Sequence, residues 1–434
     1  MSDHRPVVLK FGGAALESVP RVVERVRVTR AEGAPVVVVT SARLGVTDRL
    51  SAILARPRAR RSHQRAVEEI LARHPKLPAP RSPRLRRLTK LVAEVERTYP
   101  GDRPLGDRLL SEGERLASVW LAARLREHDI PAVPVEADHL GLITDNSYGA
   151  SLVLLDRSET AVRSRLGRLL RSGLVPVVTG YFGRSLEGRV ATLGRGGSDY
   201  SASAIGGLLG ASRVELVKRN VSVYSADPRI VPEARVVPRL SYEEAEELAQ
   251  FGARVLHPLT IEPARRFGIE LRVRSLENPK VVTAIGPPAA NGGARAMTVL
   301  SPLRLLRVRV PGGRQRRGVV AEVSQRLSDG GVNLVALFTS SALLALVVEP
   351  RDARPAVRAL RPLTGDGPAA IEGPIPVALL TVIGDRVLDD FSRLPKEVTA
   401  HTGGLSATPR SISMAVPEAA GRDDLRAVHR ALVE

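Results

Sequence analysis

Cysteine is absent from the 434 residues, and aromatic side chains are scarce: one tryptophan, six tyrosines and six phenylalanines. Without cysteine there is neither a disulfide framework nor a thiolate metal site. With so few aromatics, the core has to be built from Val, Leu, Ile and Ala. No apolar run approaches the length of a membrane span. The Val7–Leu9 run near the start is too short for a secretory signal. A soluble, cytoplasmic protein is therefore expected. Lysine is also scarce, with six among 65 basic residues, yet the formal charge is +19. Such a charge attracts anions, nucleic acid included. The densest arginine cluster, Arg56 to Arg65 followed by Arg81 to Arg87, has no interleaved aromatic to stack a base. Electrostatics alone gives only unspecific affinity. Neither nucleic acid nor a membrane is expected as a partner.

Hydrophobic residues make up 43% of the chain, enough for two or three domains with their own cores. The first half alternates strand-like and helix-like segments. Val7–Phe11 ends in Gly-Gly, and Pro35–Thr40 is a β-branched run of the kind buried on both faces. Ala132–Val135, Val175–Thr179, Val214–Val217 and Leu271–Ser275 read as further strands, and Ser158–Ser172 and Tyr200–Gly210 as helices. An arginine-rich helical stretch fills roughly 48–127. This alternation predicts an α/β fold, a mainly parallel sheet sandwiched by helices, over 1–285. Residues 286–302 begin with Gly286-Pro287-Pro288 and read as a linker. Beyond it, over 303–434, short strand-helix-strand-strand units repeat, indicating a smaller α+β region.

Two glycine-rich loops carry the chemistry. In Lys10-Phe11-Gly12-Gly13, at the end of the first strand, the lysine can neutralise phosphate oxygens. The glycines Gly12 and Gly13 let backbone amides approach an anion. In Gly194-Arg195-Gly196-Gly197-Ser198-Asp199 the glycines bracket an arginine suited to a bidentate grip on carboxylate or phosphate. Ser198 is expected to cap the following helix, and Asp199 to hold Lys10 or orient a metal-bound phosphate. Together the loops predict a phosphate-handling site. The eight histidines show no metal-ligand spacing, so no protein metal site is expected. His257, before Pro258, reads as a packed or capping residue, and Trp120 as core. Glu243-Glu244 and Glu246-Glu247 read as a solvated helix face.

At these residues the chain resembles the aspartate kinases of the amino acid kinase superfamily. The resemblance rests on both loops, on Ser111-Glu112-Gly113-Glu114, on Tyr224-Ser225-Ala226-Asp227-Pro228-Arg229 and on Phe251 to Pro258. It covers almost the whole chain, and its tail resembles paired ACT regulatory domains. The resemblance implies an amino acid kinase fold and tandem βαββαβ ACT-like domains. The second of these, about 371–416, would be inserted in the first, which the last helix and strand complete. It further implies ATP and Mg²⁺ as cofactors, an amino acid as acceptor, an acyl phosphate as product, and a homodimer formed through the ACT domains. Ser41 and Thr47 would line the amino-acid pocket. Glu114 would take the substrate ammonium and Arg195 its α-carboxylate, with Tyr181 close by. Lys10 would stabilise charge on the transferring phosphoryl group, with Asp199 organising it.

The nucleotide half departs from the pattern. Where the family carries Thr-Asp-Val-x-Gly, this chain has Lys218-Arg219-Asn220-Val221-Ser222, and the lysine of the Phe-Gly-Ala-Lys motif is Arg254. Lys218, Arg219, Tyr224, Arg229 and Arg254 are the expected nucleotide contacts. Two readings compete: an active kinase with a retuned nucleotide loop, or a degenerate paralogue serving as a regulatory or scaffolding subunit. Retention of Lys10, Glu114, Arg195 and Asp199 favours the enzyme. A kinase of a different amino acid would use the same frame. In the first ACT unit, Asn333, Thr339 and Ser340 fall where an effector would bind, but Val335 stands where the family has an acid for the effector's amine.

Overall fold

The computed structural model describes residues 5–75, 83–252, 255–288, 292–309, 318–340, 343–364 and 371–433. They divide into two compact units. The first comprises 1–223, 238–245 and 255–288. Its strands are β1 (Val7–Phe11), β2 (Val36–Thr40), β3 (Ala132–Val135), β4 (Ile143–Thr144), β5 (Val175–Thr179), β6 (Phe182–Ser185), β7 (Val190–Thr192), β8 (Arg213–Lys218), β9 (Arg239–Ser241), β10 (Glu270–Ser275) and β11 (Val282–Gly286). Its helices are α1 (Val19–Ala31), α2 (Val46–Ala55), α3 (Arg60–Ala72), α4 (Pro83–Thr98), α5 (Arg103–Arg126), α6 (Ala137–Leu140), α7 (Leu155–Arg171) and α8 (Gly197–Leu209). Next come α9 (Tyr242–Gln250), which runs out of this unit, and α10 (Pro258–Phe267).

The main sheet has the order β3-β5-β2-β1-β8-β10-β11-β9, parallel throughout except between β10 and β11. The valine runs of β1, β2 and β5 are buried on both faces, as their unbroken apolar character requires. From β1 the chain steps to β2 on one side and reaches β8 on the other. The carboxyl ends of β1, β2 and β8 therefore flank a topological switch point, where open α/β sheets bind ligands.

Helix α8 owes its place to small residues. A Cβ on Gly206 would meet Val214 Cγ2 at 2.3 Å, and one on Gly207 would meet Phe267 Cδ2 at 2.3 Å. The glycines let α8 lie directly on β8 and α10. Helix α5 starts at Asp102, whose carboxylate accepts from the Leu105 amide at 3.1 Å, and it is buried along most of its length. The arginine-rich stretch forms α2 to α5, whose apolar faces meet in one cluster of Leu50, Ile53, Ile70, Leu88, Leu91 and Leu109. Some arginines are structural: the buried Glu215 accepts from Arg25, Arg213 and Arg274 at 2.8, 2.8 and 2.9 Å. Glu244 corrects one expectation. It is buried, accepts from the Ser241 amide at 2.6 Å, and its own amide donates to Ser241 Oγ at 3.0 Å. This is a capping box at the start of α9, not a solvated face.

The second unit comprises 224–237, 246–254 and 289–434. It contains β12 (Gly293–Arg309), α11 (Val319–Asp329), β13 (Leu334–Thr339), β14 (Leu343–Val348), α12 (Ala353–Thr364), β15 (Ile371–Asp385), α13 (Lys396–Ala400), β16 (Leu405–Ala407), β17 (Ser411–Pro417) and α14 (Gly421–Val433). The order β12-α11-β13-β14-α12-β15 is a βαββαβ succession, but it runs straight on into β15, and no strand follows α14 among the described residues, so the first ACT-like domain is not completed by a last helix and strand as expected. All six strands join one antiparallel sheet, in the order β13-β14-β12-β15-β17-β16. Strand β12 occupies residues 293–302, which composition marked as linker: Ala296, Met297 and Thr298 are buried, and β15 pairs along it. Residues 224–237 also differ from a simple division at 285. Ala226 and Val231 pack with Leu380, Val382 and Met414, the Met297 amide donates to the Ser225 carbonyl at 2.8 Å, and Ser225 Oγ meets His429 Nε2 at 2.9 Å.

Candidate active site

Lys10 lies near the end of β1 and is buried. Its Nζ is 2.7 Å from Asp199 Oδ1. Asp199 stands in the first turn of α8, and its other oxygen accepts from Lys218 Nζ at 3.0 Å. Lys218 ends β8 and also donates to the Val255 carbonyl. Three elements of the switch point thus converge on one ion cluster. The two ammoniums overcome the burial of Asp199 and hold its carboxyl far below the usual carboxylate range. Burial lowers Lys10, and its ion pair with Asp199 opposes that shift.

The glycines around this cluster serve close approach. A Cβ on Gly13 would lie 2.5 Å from the Ala42 carbonyl oxygen, and one on Gly180 2.8 Å from that of Thr40. Only bare backbone lets the loops after β1, β2 and β5 pack together. Gly196 adopts φ +73° and is the N-cap of α8, with no side chain capping it. Ser198, expected as the cap, instead lies inside the first turn, because the left-handed glycine ends the loop two residues earlier. The Gly197 and Asp199 amides donate to the Gly194 and Gly196 carbonyls at 3.1 and 3.0 Å, so the start of α8 brings the Ser198 amide and the positive end of the helix dipole to the site.

Glu114, on α5, faces the same region. Its Oε1 accepts from the Ala42 amide at 2.9 Å, while the buried Oε2 has no hydrogen-bond partner among the described residues. Burial pushes this carboxyl up to about 8, with the Ala42 amide and Lys10 opposing. An unpaired buried carboxylate oxygen is costly and fits a ligand cation. Tyr181, at φ +74°, is raised to about 12, first by burial and then by the nearby Glu114 charge. Gly197 packs on it, since a Cβ there would be 3.0 Å from Tyr181 Cδ2. Arg195 is exposed at the head of α8 and has no ion-pair partner among the described residues. Ser41 and Thr47 are half-buried, one after β2 and the other in the first turn of α2.

The expected nucleotide contacts divide. Lys218 points inward to Asp199. Arg219, the next residue, points the other way, is more than half exposed, and pairs with Glu277 at 2.9 Å. Lys218 is the last residue of β8 and Arg219 the first beyond it, where the chain bends. Tyr224 and Arg229 belong to the second unit, where Tyr224 bridges to Val236 and the exposed Arg229 pairs with Asp227 at 2.6 Å. Arg254 lies outside the described residues. The effector candidates do not cluster within the chain: Asn333 precedes β13 and Thr339 ends it, a separation of roughly 20 Å at strand rise. Ser340 follows Thr339, and its amide donates to the Leu343 carbonyl at 2.9 Å.

Sequence reasoning passed over Asp107. It lies two turns before Glu114 on the same face of α5, and its Oδ2 accepts from the amides of Thr192 and Gly149 at 2.7 and 2.9 Å. It thereby ties α5 to the strand leading into the second glycine loop. A heptad spacing from Glu114 was the available signal. His257 caps α10, its Nδ1 accepting from the Leu259 amide at 3.4 Å. The acidic group Glu136, Asp138 and His139 is no free metal site, because Arg115 pairs with both carboxylates.

Lys10, Asp199 and Lys218 thus form one ion cluster at the start of α8, with the carboxyl of Glu114 beside it. The model of the amino acid kinase family matches residues 5–275, and the chain belongs to that family. Aspartokinases are among its relatives there. An aspartokinase of Thermus thermophilus is 28% identical, over 98% of each chain. The lysine-sensitive aspartokinase 3 of Escherichia coli is 30% identical over 79% of this chain and 78% of its own. Two crystal structures of E. coli aspartokinase III share the fold. The one with aspartate and ADP has TM-score 0.81 at 24% identity, covering 99% of this chain and all of the other. The one with lysine and aspartate has TM-score 0.79 at 25% identity with the same coverage.

Proposed function

We infer that the chain is an aspartate kinase, transferring the γ-phosphoryl group of ATP to the side-chain carboxylate of aspartate and yielding an acyl phosphate. The observation that carries this reading is the buried Glu114 with one unpartnered oxygen, held near the Lys10–Asp199–Lys218 cluster. Glu114 receives the substrate ammonium, and the exposed guanidinium of Arg195 takes the α-carboxylate. Lys10 stabilises charge on the transferring phosphoryl group. Asp199, kept ionised by two ammoniums, fixes Lys10 in place. Catalysis of this kind is positioning and electrostatics.

The positive end of α8, with the Ser198 amide, and the two lysines fit nucleotide phosphates. Both Asp199 oxygens are engaged by lysines, so the cluster offers phosphates cations rather than a metal cage. Mg²⁺ enters this scheme only as the counter-ion the nucleotide carries. Edge strand β13, with Leu334, Val335, Ala336 and Leu337 half-buried, supports a homodimer formed through the second unit.

Trapping the product with hydroxylamine tests the reaction, using ATP, Mg²⁺ and a panel of acidic amino acids. Hydroxamate is expected with aspartate and is expected to vanish in Lys10→Ala. Hydroxamate with another amino acid alone would reassign the acceptor. Its absence with every acceptor and nucleotide would leave the regulatory-subunit reading.

A further inference from the structure

Arg43 stands in the loop between β2 and α2, next to the amide that serves Glu114, and it is buried although it carries a full charge. Its guanidinium is held on three sides. Nη2 pairs with the Glu17 carboxylate at 3.0 Å, Nη1 donates to the Arg73 carbonyl just beyond α3, and the guanidinium carbon lies 4.1 Å from the centre of the Trp120 ring. Trp120 is on α5, the helix of Glu114, and its indole N–H donates to the Pro75 carbonyl at 3.2 Å. His74 meets that ring edge-on, with ring centres 6.4 Å apart. Burial lowers His74 to about 4, so it stays neutral and adds no charge against Arg43. Arg73 approaches the other Glu17 oxygen at 3.8 Å.

A buried guanidinium is tolerated only where its partners are fixed, and its planar fork suits several of them at once. Here the fork joins four segments: the turn after the Lys10 loop, the loop after β2, the end of α3, and α5. No element of the loop itself does this, because residues 41–45 form no regular structure. We propose that Arg43 is a positioning residue for the amino-acid substrate. By clamping the loop it holds the Ala42 amide on Glu114 Oε1 and leaves Oε2 aimed at the substrate ammonium. This rests on Glu114 as the ammonium acceptor. The phosphoryl side is anchored separately, through Lys10, Asp199 and Lys218, so the effect falls on the acceptor.

Steady-state kinetics on the full-length enzyme tests this. Arg43→Met keeps the packing on Trp120 but loses the fork. It is expected to raise KM for aspartate about tenfold or more, leaving kcat and KM for ATP within about twofold. Glu17→Gln weakens one arm of the clamp and should move the same KM in the same direction, by less. Arg43→Lys cannot serve Glu17 and the Arg73 carbonyl together and should not restore it. Added to Glu114→Gln, Arg43→Met should change KM little further, because it acts through Glu114. A merely structural role would lower Tm and the active fraction without moving KM for aspartate. Trp120 is the only tryptophan, so its emission reports the clamp directly in each variant. If Arg43→Met fails to fold, Glu17→Gln decides. Should Glu114→Gln raise KM for aspartate while both clamp variants leave it unchanged, the positioning role is overturned and the Glu114 reading stands. Should Glu114→Gln leave that KM unchanged, the Glu114 reading fails, and this proposal with it.

Discussion

Aspartate binding should depend on pH through Glu114. Burial raises this carboxyl to about 8, so the free enzyme holds it mostly protonated at neutral pH. Its Oε2 can take an ammonium only when ionised, and binding must therefore expel a proton. Below about pH 8 the apparent KM for aspartate should fall tenfold per pH unit, and above it should level off. From about pH 6.5 to 9 the ionised fraction rises roughly thirtyfold, and KM should fall by about that factor. The linkage to folding has the opposite sense. A carboxyl raised above its unfolded value contributes stability that is present at low pH and is lost as pH rises through about 8. Aspartate should accordingly stabilise the enzyme more at high pH than at low. The assay is the hydroxamate reaction at saturating ATP across this range, with calorimetric titration in buffers of different ionisation enthalpy to count the proton. Glu114→Gln should flatten the profile and weaken aspartate. A wild-type KM that is flat between about pH 6 and 8, or binding without proton release, would refute the reasoning.

Lys218→Thr removes one of two ammoniums from Asp199 while Lys10 keeps the carboxylate ionised; kcat is expected to fall about 10- to 100-fold in the same assay, with KM for aspartate little changed. Arg219→Asp alters an exposed side chain paired with Glu277, so KM for ATP should stay within about twofold in the same kinetics. Gly196→Ala places a Cβ 2.5 Å from His257 Cβ at φ +73°; a stability loss of about 2–4 kcal/mol is expected in urea unfolding, with activity lost in step.

The sheet was legible because its strands are unbroken valine runs, and valine runs buried on both faces are what a parallel sheet needs. The two glycine loops were legible for the same kind of reason: a turn that must admit a phosphate has few residue choices. The detail at β8 was not. Composition marks Lys218 and Arg219 as equal cations, and only the end of β8 between them decides that one meets Asp199 and the other Glu277. Ser198 misled because a serine at a helix start usually caps it, whereas Gly196 in the left-handed region begins α8 first. The linker expected at 286–302 rested on glycine and proline. Pairing with β15 outweighs them from Gly293 onward. Residues 224–237 look like a continuation of the β8 loop, and only the apolar contacts of Ala226 and Val231 assign them to the second unit. Glu244 read as solvent-facing from its acidic neighbours, though Ser241 three residues earlier completes a capping box.

The two carboxylates of the site are sorted by their surroundings rather than by their chemistry. Asp199 and Glu114 are both buried, yet two ammoniums keep Asp199 ionised, and Glu114 is left with one amide and an empty oxygen. Such a division assigns roles: the permanent anion organises Lys10, and the conditional one waits for a cation. Before substrate arrives, the pocket avoids an uncompensated buried charge by staying protonated. The ammonium of aspartate supplies the missing partner, and the proton leaves. An acceptor lacking an α-ammonium would have to ionise Glu114 without compensation or leave it neutral and unused. Succinate, which keeps both carboxylates of aspartate but has no amine, should therefore bind at least about tenfold more weakly than aspartate at pH 9 and reverse the pH dependence, weakening as pH rises through about 8. Inhibition by succinate that weakens from pH 7 to pH 9, while aspartate tightens over the same range, is the pattern that this division of charge requires.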